Sequence, residues 1–381
     1  MYPIKKLQDC ATIIAGQSPE SKYYNSTGEG IPFFQGKADF GELYSKVRVY
    51  CSSPTKIAQY NDILLSVRAP VGPTNLSPGT VCIGRGLAAI RPDDSLDLKY
   101  LLYYFRYFET QLSAKGIGTT FKAINQKLIK NLEIPIPPLN EQFRIVARIE
   151  EFFSELDKAV DTLKTTKEQL EVYRQAVLKD AFSNIAEYIP FGKITSSRLG
   201  KMLDKQKNVG VPCKYLRNIN VRWFSFDLSD LLDMKIEEKE FEKYTICKND
   251  LVICEGGEPG SCAVWEKDET IFYQKALHRV RFAIKAEPRF YMYYLWYITQ
   301  SGSINKFYTG TGIKHLTGQS LEKIPVPVTD IGEQKRLLEL IEMRLSVCDN
   351  IEKTVDAALA QADAMRQSIL KQAFEGKKDV Y

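Results

Sequence analysis

The chain has 381 residues and 44% hydrophobic content, enough for two or three domains with real cores. A net charge of +5 permits nucleic-acid binding without demanding it, so the placement of charge matters more than its sum. No apolar run reaches the ~18 residues of a membrane span, and no signal pattern follows Met1–Leu7. Eight scattered cysteines form no Cys-x-x-Cys pair and only two histidines exist, which argues against zinc and for reduced, cytoplasmic thiols.

In the first half, Asn61-Asp62-Ile63-Leu64-Leu65 reads as a turn entering a buried strand, with further strands at Thr80–Ile83 and Leu87–Ile90. Residues 97–112 suggest an aromatic-rich helix capped by Asp97. Tyr103 and Tyr104 stand there at helical spacing beside leucine, which favours core over base stacking. A glycine-rich loop, Gly116-Ile117-Gly118-Thr119-Thr120-Phe121-Lys122, follows. Ile134-Pro135-Ile136-Pro137 must then be extended. Asn140 is a candidate N-cap for a helix from Glu141 to Phe182 that contains neither proline nor glycine. Ile149, Leu156, Leu163, Leu170 and Val177 recur every seventh residue, and Phe152, Phe153, Ala159, Val160 and Tyr173 complete the stripe. Such a helix is roughly 60 Å long.

The second half repeats this order. Asn249-Asp250-Leu251-Val252-Ile253 parallels the first turn and strand, and Val264–Trp265 and His278–Phe282 are strand candidates. Residues 287–300 form a second aromatic helix, with Pro288 in its first turn and Tyr293 and Tyr294 read as core. Gly310-Thr311-Gly312-Ile313-Lys314-His315 and Ile324-Pro325-Val326-Pro327 come next. Asp330 is the candidate cap of a helix from Glu333 to Phe374, whose heptad stripe is Ile341, Cys348, Val355, Ala362 and Ile369. At a constant offset of 192 residues, Glu141-Gln142-x-Arg144 matches Glu333-Gln334-x-Arg336, and Asp157 matches Asp349. Arg174-Gln175 likewise matches Arg366-Gln367, and Ala181-Phe182 matches Ala373-Phe374. This is duplication. The readiest partner for each long helix is the other copy, and antiparallel pairing would set the globular halves at opposite ends of a rod.

Basic residues gather in one stretch: Lys193, Arg198, Lys201, Lys205, Lys207, Lys214, Arg217 and Arg222, opposed by Asp204. Asn218 and Asn220 interleave, and Trp223 and Phe224 follow. Arginine and asparagine suit phosphate positioning and base-edge readout. The alternative is a solvated face balanced by the acidic run Asp227–Glu242. In the first half the DNA-binding candidates are Lys37, Arg68, Arg85, Lys115 and Lys122. Arg68 follows a strand, and Arg85 stands between two glycines that free the backbone for close approach. Lys314 and His315 complete the set. Each alone reads equally as ordinary surface charge. Off the heptad stripe, Arg144, Arg148, Arg174, Lys179, Arg336, Arg366 and Lys371 are candidates for binding a partner protein, or else solvated helix flanks.

Catalytic readings find little support. Ile136-Pro137-Pro138-Leu139 lacks the Asn and aromatic residue of an adenine-methylation motif. Pro92-Asp93 with Asp97-Leu98-Lys99 looks superficially like a nuclease, but its acids are too close together and Asp97 has a capping role. Neither a dinucleotide fingerprint nor a phosphate-loop lysine motif is present. His278 lies in an alternating strand and reads as structural. No catalytic residue, metal or cofactor is expected.

The ordered pattern (globular half, Ile-Pro-Ile-Pro, Glu-Gln-x-Arg, a heptad helix ending Arg-Gln-x-x-Leu-Lys-x-Ala-Phe, then the whole again) resembles the specificity subunit of a type I restriction–modification system. The resemblance covers essentially the whole chain. It implies an α+β fold: two pseudo-twofold-related α+β target-recognition domains joined by an antiparallel coiled coil of two long helices. The expected boundaries are 1–138 and 184–328 for the recognition domains and 139–183 and 329–381 for the helices. It further implies sequence-specific reading of an asymmetric, bipartite double-stranded DNA target. The implied partners are two modification (methyltransferase) subunits and restriction/translocase subunits, in the cytoplasm and away from any membrane. A rod of ~60 Å would separate the two readers by somewhat under two turns of B-DNA at ~34 Å per turn. The competing reading is a coiled-coil scaffold that organises proteins without reading DNA.

Overall fold

Asn61 and Asn249 sit in left-handed backbone, at φ of 67° and 71°, which asparagine tolerates better than most residues. Each turns the chain into a wholly buried strand, as the two Asn-Asp sequences predict. The computed structural model describes residues 2–116, 122–204, 206 and 208–375. Most of the first glycine-rich loop (117–121), together with Lys205 and Lys207, lies outside the described residues. The chain divides into two units, Met1–Leu163 with Ala357–Tyr381, and Lys164–Asp356, so the division falls within both long helices.

The first unit carries β1 (Ile4–Lys6), β2 (Ala11–Ala15), β3 (Tyr24–Asn25), β4 (Ile31–Phe34), β5 (Tyr50–Cys51) and β6 (Ile57–Ala58). Then come β7 (Ile63–Ser66), β8 (Thr74–Leu76), β9 (Val81–Ile83), β10 (Leu87–Pro92), α1 (Leu98–Ala114), α2 (Gln126–Lys130) and β11 (Glu133–Pro135). Its sheets run β2-β10-β7-β8, β3-β5-β4-β9-β6 and β1-β11. The first long helix, α3, spans Leu139–Ser183.

The second unit repeats the plan with β12 (Tyr188–Pro190), β13 (Thr195–Leu199), β14 (Val211–Leu216), β15 (Val221–Arg222), β16 (Ser225–Phe226) and β17 (Leu232–Ile236). It continues through α4 (Phe241–Tyr244), β18 (Thr245–Ile246), β19 (Leu251–Cys254), β20 (Cys262–Val264), β21 (Ile271–Tyr273), β22 (Leu277–Phe282), α5 (Pro288–Gln300), α6 (Gly318–Glu322) and β23 (Pro325–Pro327). The second long helix, α7, spans Ile331–Glu375. Here the order β13-β22-β19-β20 reproduces β2-β10-β7-β8, and β12-β23 reproduces β1-β11. The parallel pair β14–β21 reproduces β4–β9.

Within each unit a segment of α3 packs antiparallel against a segment of α7. Asp157 pairs with Arg366 in the first unit. In the second, Lys167, Arg174 and Asp180 pair with Asp356, Asp349 and Arg344, so partner numbers fall as the chain rises. The heptad residues Ile149, Leu156, Leu170, Val177, Ile341, Cys348, Val355 and Ala362 are buried. Tyr173, expected in the stripe, is instead 48% exposed. A two-helix seam needs only a narrow stripe, and Tyr173 stands beside it. Asp330 caps α7, accepting from the Gly332 and Glu333 amides at 2.9 and 3.0 Å. Asn140 does not cap α3. That helix begins one residue earlier, and the Pro138 carbonyl receives the Glu141 and Gln142 amides.

The repeated motifs are locks. Gln142, fully buried, accepts from the Asp97 amide at 2.7 Å and donates to the Ser95 and Pro137 carbonyls. Gln334 does the same in the second unit with the Glu287 amide and the Thr329 carbonyl. Lys99 pairs with Glu150 as Arg289 pairs with Glu342. Phe182 sits edge-on to Phe290 and Tyr294, at ring separations of 5.4 and 5.2 Å. Phe374 meets Tyr100 and Tyr104 in the same way at 5.3 and 5.4 Å. Tyr103, Tyr104 and Tyr294 are core, as expected, whereas Tyr293 is only half-buried. The hydroxyls of Tyr100, Tyr104 and Tyr294 donate to the carbonyls of Pro135, Glu133 and Pro325, which is how a buried tyrosine is satisfied. Asp97 caps α1 by accepting from the Tyr100 amide at 2.8 Å. His278 is buried with its Nε2 bonded to the Leu316 carbonyl at 2.8 Å.

Candidate nucleic-acid interface

In the first unit three turns converge. The turn from β9 to β10 is Gly84-Arg85-Gly86. A Cβ on Gly86 would stand 2.1 Å from the Gln35 carbonyl, so only glycine lets the two turns meet. The turn after β7 is Arg68-Ala69-Pro70, held by the Ser66 hydroxyl, which donates to the carbonyls of Arg68 and Pro70 at 3.1 and 2.8 Å. The turn after β4 carries Lys37 and is folded by buried Asp39, which accepts from the Gln35 amide at 2.7 Å and pairs with Arg48. Lys37, Arg68 and Arg85 are exposed and line one cleft with Ser18 and Gln35; its volume is about 190 Å³. An adjoining cleft of about 800 Å³ reaches Lys37, Arg48 and Pro70. Lys122 is exposed next to this set, because Ala123 bridges to Arg68 and the Ile124 amide donates to the Val67 carbonyl. Lys115 is exposed at the end of α1, its ammonium over the Phe108 ring at 5.1 Å.

The second unit treats its candidates less evenly. Asn218 donates to the Gly256 carbonyl at 3.3 Å, and His315 stands over Gly256, its Nδ1 3.0 Å from where a Cβ would be. Lys314 follows the first unit's Lys122 in place, exposed, with its ammonium 5.7 Å from the Tyr308 ring centre. Arg222 is exposed at the end of β15. Three others are spent inside the fold. Asn220 is buried, and its amide serves the Arg217 amide and the Asp227 carbonyl, so it shapes the loop. Lys201 is nearly enclosed and pairs with Glu240 at 2.5 Å; that hydrogen bond holds the Glu240 carboxyl below its usual range. Arg217 is clamped to Asp230 at 2.7 Å. Lys214 is exposed but pairs with Asp233 at 3.0 Å.

Of the helix candidates, Arg174 and Arg366 are corrected. Both reach across to the other long helix within their own unit: Arg174 to Asp349 and Glu352, and Arg366 to Asp157. Burial opposes the Arg174 charge, yet the hydrogen bonds it donates to Asp349 and Glu352 outweigh it and raise its pKa. Arg148 and Arg336 pair with Glu151 and Glu333 one turn away and stay exposed, as does Arg144 with Glu141. Lys179 and Lys371 are exposed. Charge reasoning missed the apolar surface. Val172, Tyr173, Met343, Val347 and Ile351 are exposed in the second unit, and in the first a groove of about 420 Å³ runs between Phe152, Leu156, Met365 and Ile369.

Two topologically matched α+β units, each with its own set of outward-facing polar side chains on turns between strands and each braced by segments of the two long helices, define a two-part protein. The signature described as the type I restriction modification DNA specificity domain matches residues 2–172 and 217–361. The chain belongs to that family. A relative from Methanocaldococcus jannaschii, named for the MjaX type I restriction enzyme specificity subunit, is 41% identical over 167 residues, 44% of this chain and 38% of that protein. The chain thus spans well under half the length of that relative. The Escherichia coli EcoKI specificity subunit is 23% identical over 79% of this chain and 70% of its own length. Among solved structures, a chain from a study of type I assembly and conformational transition gives a TM-score of 0.77 at 16% identity, covering 98% of both chains. The HsdS subunit of Thermoanaerobacter tengcongensis gives 0.59 at 16% identity, covering 98% of this chain and 97% of its own. These likenesses carry the fold. No helix among the described residues is long and apolar enough to cross a membrane.

Proposed function

We propose that the chain reads an asymmetric, bipartite double-stranded DNA target for the methyltransferase and restriction/translocase subunits of a type I complex in the cytoplasm. The carrying observation is that the same turns of two matched units bear different side chains. The first unit carries Lys37 and Arg68 where the second carries Asn218 and a bare Gly256, over which His315 lies. Two readers of different chemistry on one scaffold imply two different half-targets. Residues 1–138 and 184–328 are the readers in this proposal, and 139–183 and 329–381 set the spacing and dock two modification subunits. Lys115, Lys122 and Lys314 hold phosphates, while Arg222 joins the second unit's readers. The exposed apolar residues of the long helices, flanked by Arg144, Arg148, Lys179, Arg336 and Lys371, offer the docking face, since exposed apolar surface marks protein contact. Chemistry on adenine then belongs to the partner.

The test is co-expression with the methyltransferase subunit of its own operon and mapping of modified adenines by single-molecule sequencing. One asymmetric split motif with a methylated adenine in each part is expected. A co-purifying partner with no motif across a methylatable genome would leave the scaffold reading instead.

A further inference from the structure

The turn between β21 and β22 is Gln274-Lys275-Ala276. Backbone bonding places it where the first unit has Gly84-Arg85-Gly86. The Gly84 amide donates to the Phe34 carbonyl at 2.8 Å, and the Gln274 amide donates to that of Leu216 at 3.0 Å. The Leu87 amide closes on the Gly84 carbonyl at 3.0 Å, and that of Leu277 on Gln274 at 3.1 Å. The Val67 and Glu255 amides both donate at 2.9 Å to the third residue of the turn, Gly86 or Ala276. Lys275 is therefore the counterpart of Arg85. Both are exposed, and among the described residues no side-chain ion pair involves either.

The other two turns correspond as well. Gly36 and Arg217 each open a single 3-10 turn, closed by Asp39 and Asn220 respectively, so Lys37 and Asn218 hold the same first position. The Gly72 and Gly260 amides donate to Ser66 and Cys254, which sets Gly256 in the place of Arg68. Without a side chain there, Gly256 leaves room for His315 to lie over it. The first unit thus offers three cations around one cleft. The second offers an amide, an imidazole and one cation, Lys275.

We propose that Lys275 is a specificity-determining residue of the second unit, reading a guanine in its half-target as Arg85 reads one in the other. The inference rests on the DNA-reading function proposed above. Lysine and arginine carry donors and no acceptor. In the major groove, guanine presents two acceptors, O6 and N7, whereas adenine pairs one acceptor with one donor. A donor-only side chain thus selects guanine, and the amide of Asn218 matches adenine better. Lys275 is also unspent, whereas Lys201, Lys214 and Arg217 are each held by a carboxylate.

The experiment uses the complex with its methyltransferase partner. The target is first mapped with the unaltered chain, then Lys275→Ala, Lys275→Arg and Arg85→Ala are assayed for methylation and for binding to every single-base variant of the target. Lys275→Ala should relax one guanine in one half, cutting discrimination there by roughly tenfold or more. Arg85→Ala should do so in the other half, and Lys275→Arg should retain the guanine. Uniform weakening across all variants by Lys275→Ala would assign the residue to phosphate and overturn the proposal; an unchanged target would overturn it too. Both outcomes leave the split motif of the unaltered chain standing. Absence of any motif in that chain would instead remove the DNA-reading function itself.

Discussion

Truncating Phe182 to alanine tests whether the end of α3 is a structural plug of the second unit. The ring is 1% exposed and meets Phe290, Tyr294 and Tyr297 at 5.2 to 5.8 Å. Removing a buried phenylalanine costs about 3–5 kcal/mol, because the lost transfer energy adds to the cavity left behind. For a unit of this size that lowers the unfolding temperature by roughly 6–20 °C. The protein supplies its own reporter. Its three tryptophans, Trp223, Trp265 and Trp296, all lie in Lys164–Asp356, so their fluorescence follows the second unit. The Phe182→Ala midpoint should fall by that amount, while Val172→Ala, at a residue 70% exposed on the same helix, should leave it within about 0.5 kcal/mol. A Phe182→Ala midpoint within about 1 kcal/mol of the parent would refute the plug and return the repeated Ala-Phe motif to an unexplained identity.

Three further perturbations follow from the same geometry. Arg174→Met should destabilise the second unit by about 2 kcal/mol, less than the 3–5 kcal/mol of a fully buried pair, because Asp349 is 60% exposed and regains water; tryptophan fluorescence in denaturant reads it, and a neutral result refutes the clamp. His278 is held neutral by burial, with its pKa lowered, so its contribution is intact above the unfolded value of about 6.5 and is lost as pH falls from there through the folded pKa. In His278→Gln the acid-side decline of the fluorescence midpoint should flatten, and an unaltered pH profile would count against it. Gly86→Ala should disrupt the first unit's cleft and its DNA binding, because a Cβ would stand 2.1 Å from a carbonyl, whereas Gly36→Ala, with nothing within 4 Å of its Cβ, should be neutral for stability; equal thermal stability of the two variants would contradict the close approach.

The duplication was legible because the repeated residues are those that hold each unit together. Gln142 and Gln334 bond the same backbone positions, Phe182 and Phe374 fill matching aromatic sockets, and the Asp157–Arg366 and Arg174–Asp349 pairs clamp the helices. Their role was misread for the arginines. A position off the heptad stripe looks solvated in sequence, but an arginine stem is long enough to cross to the neighbouring helix. Asn220 was misread for a different reason. Its amide closes a 3-10 turn, and nothing in the surrounding residues signals that turn. Lys275 stayed invisible because glycines mark Arg85, while Gln274 and Ala276 make the same bend without them. A search for repeats finds whatever both halves must keep. If the two units read unlike half-targets, as proposed, they must differ where they face the bases, so the side chains that confer specificity are the ones such a search passes over, and only the hydrogen-bonded frame beneath them brings the two sets into register.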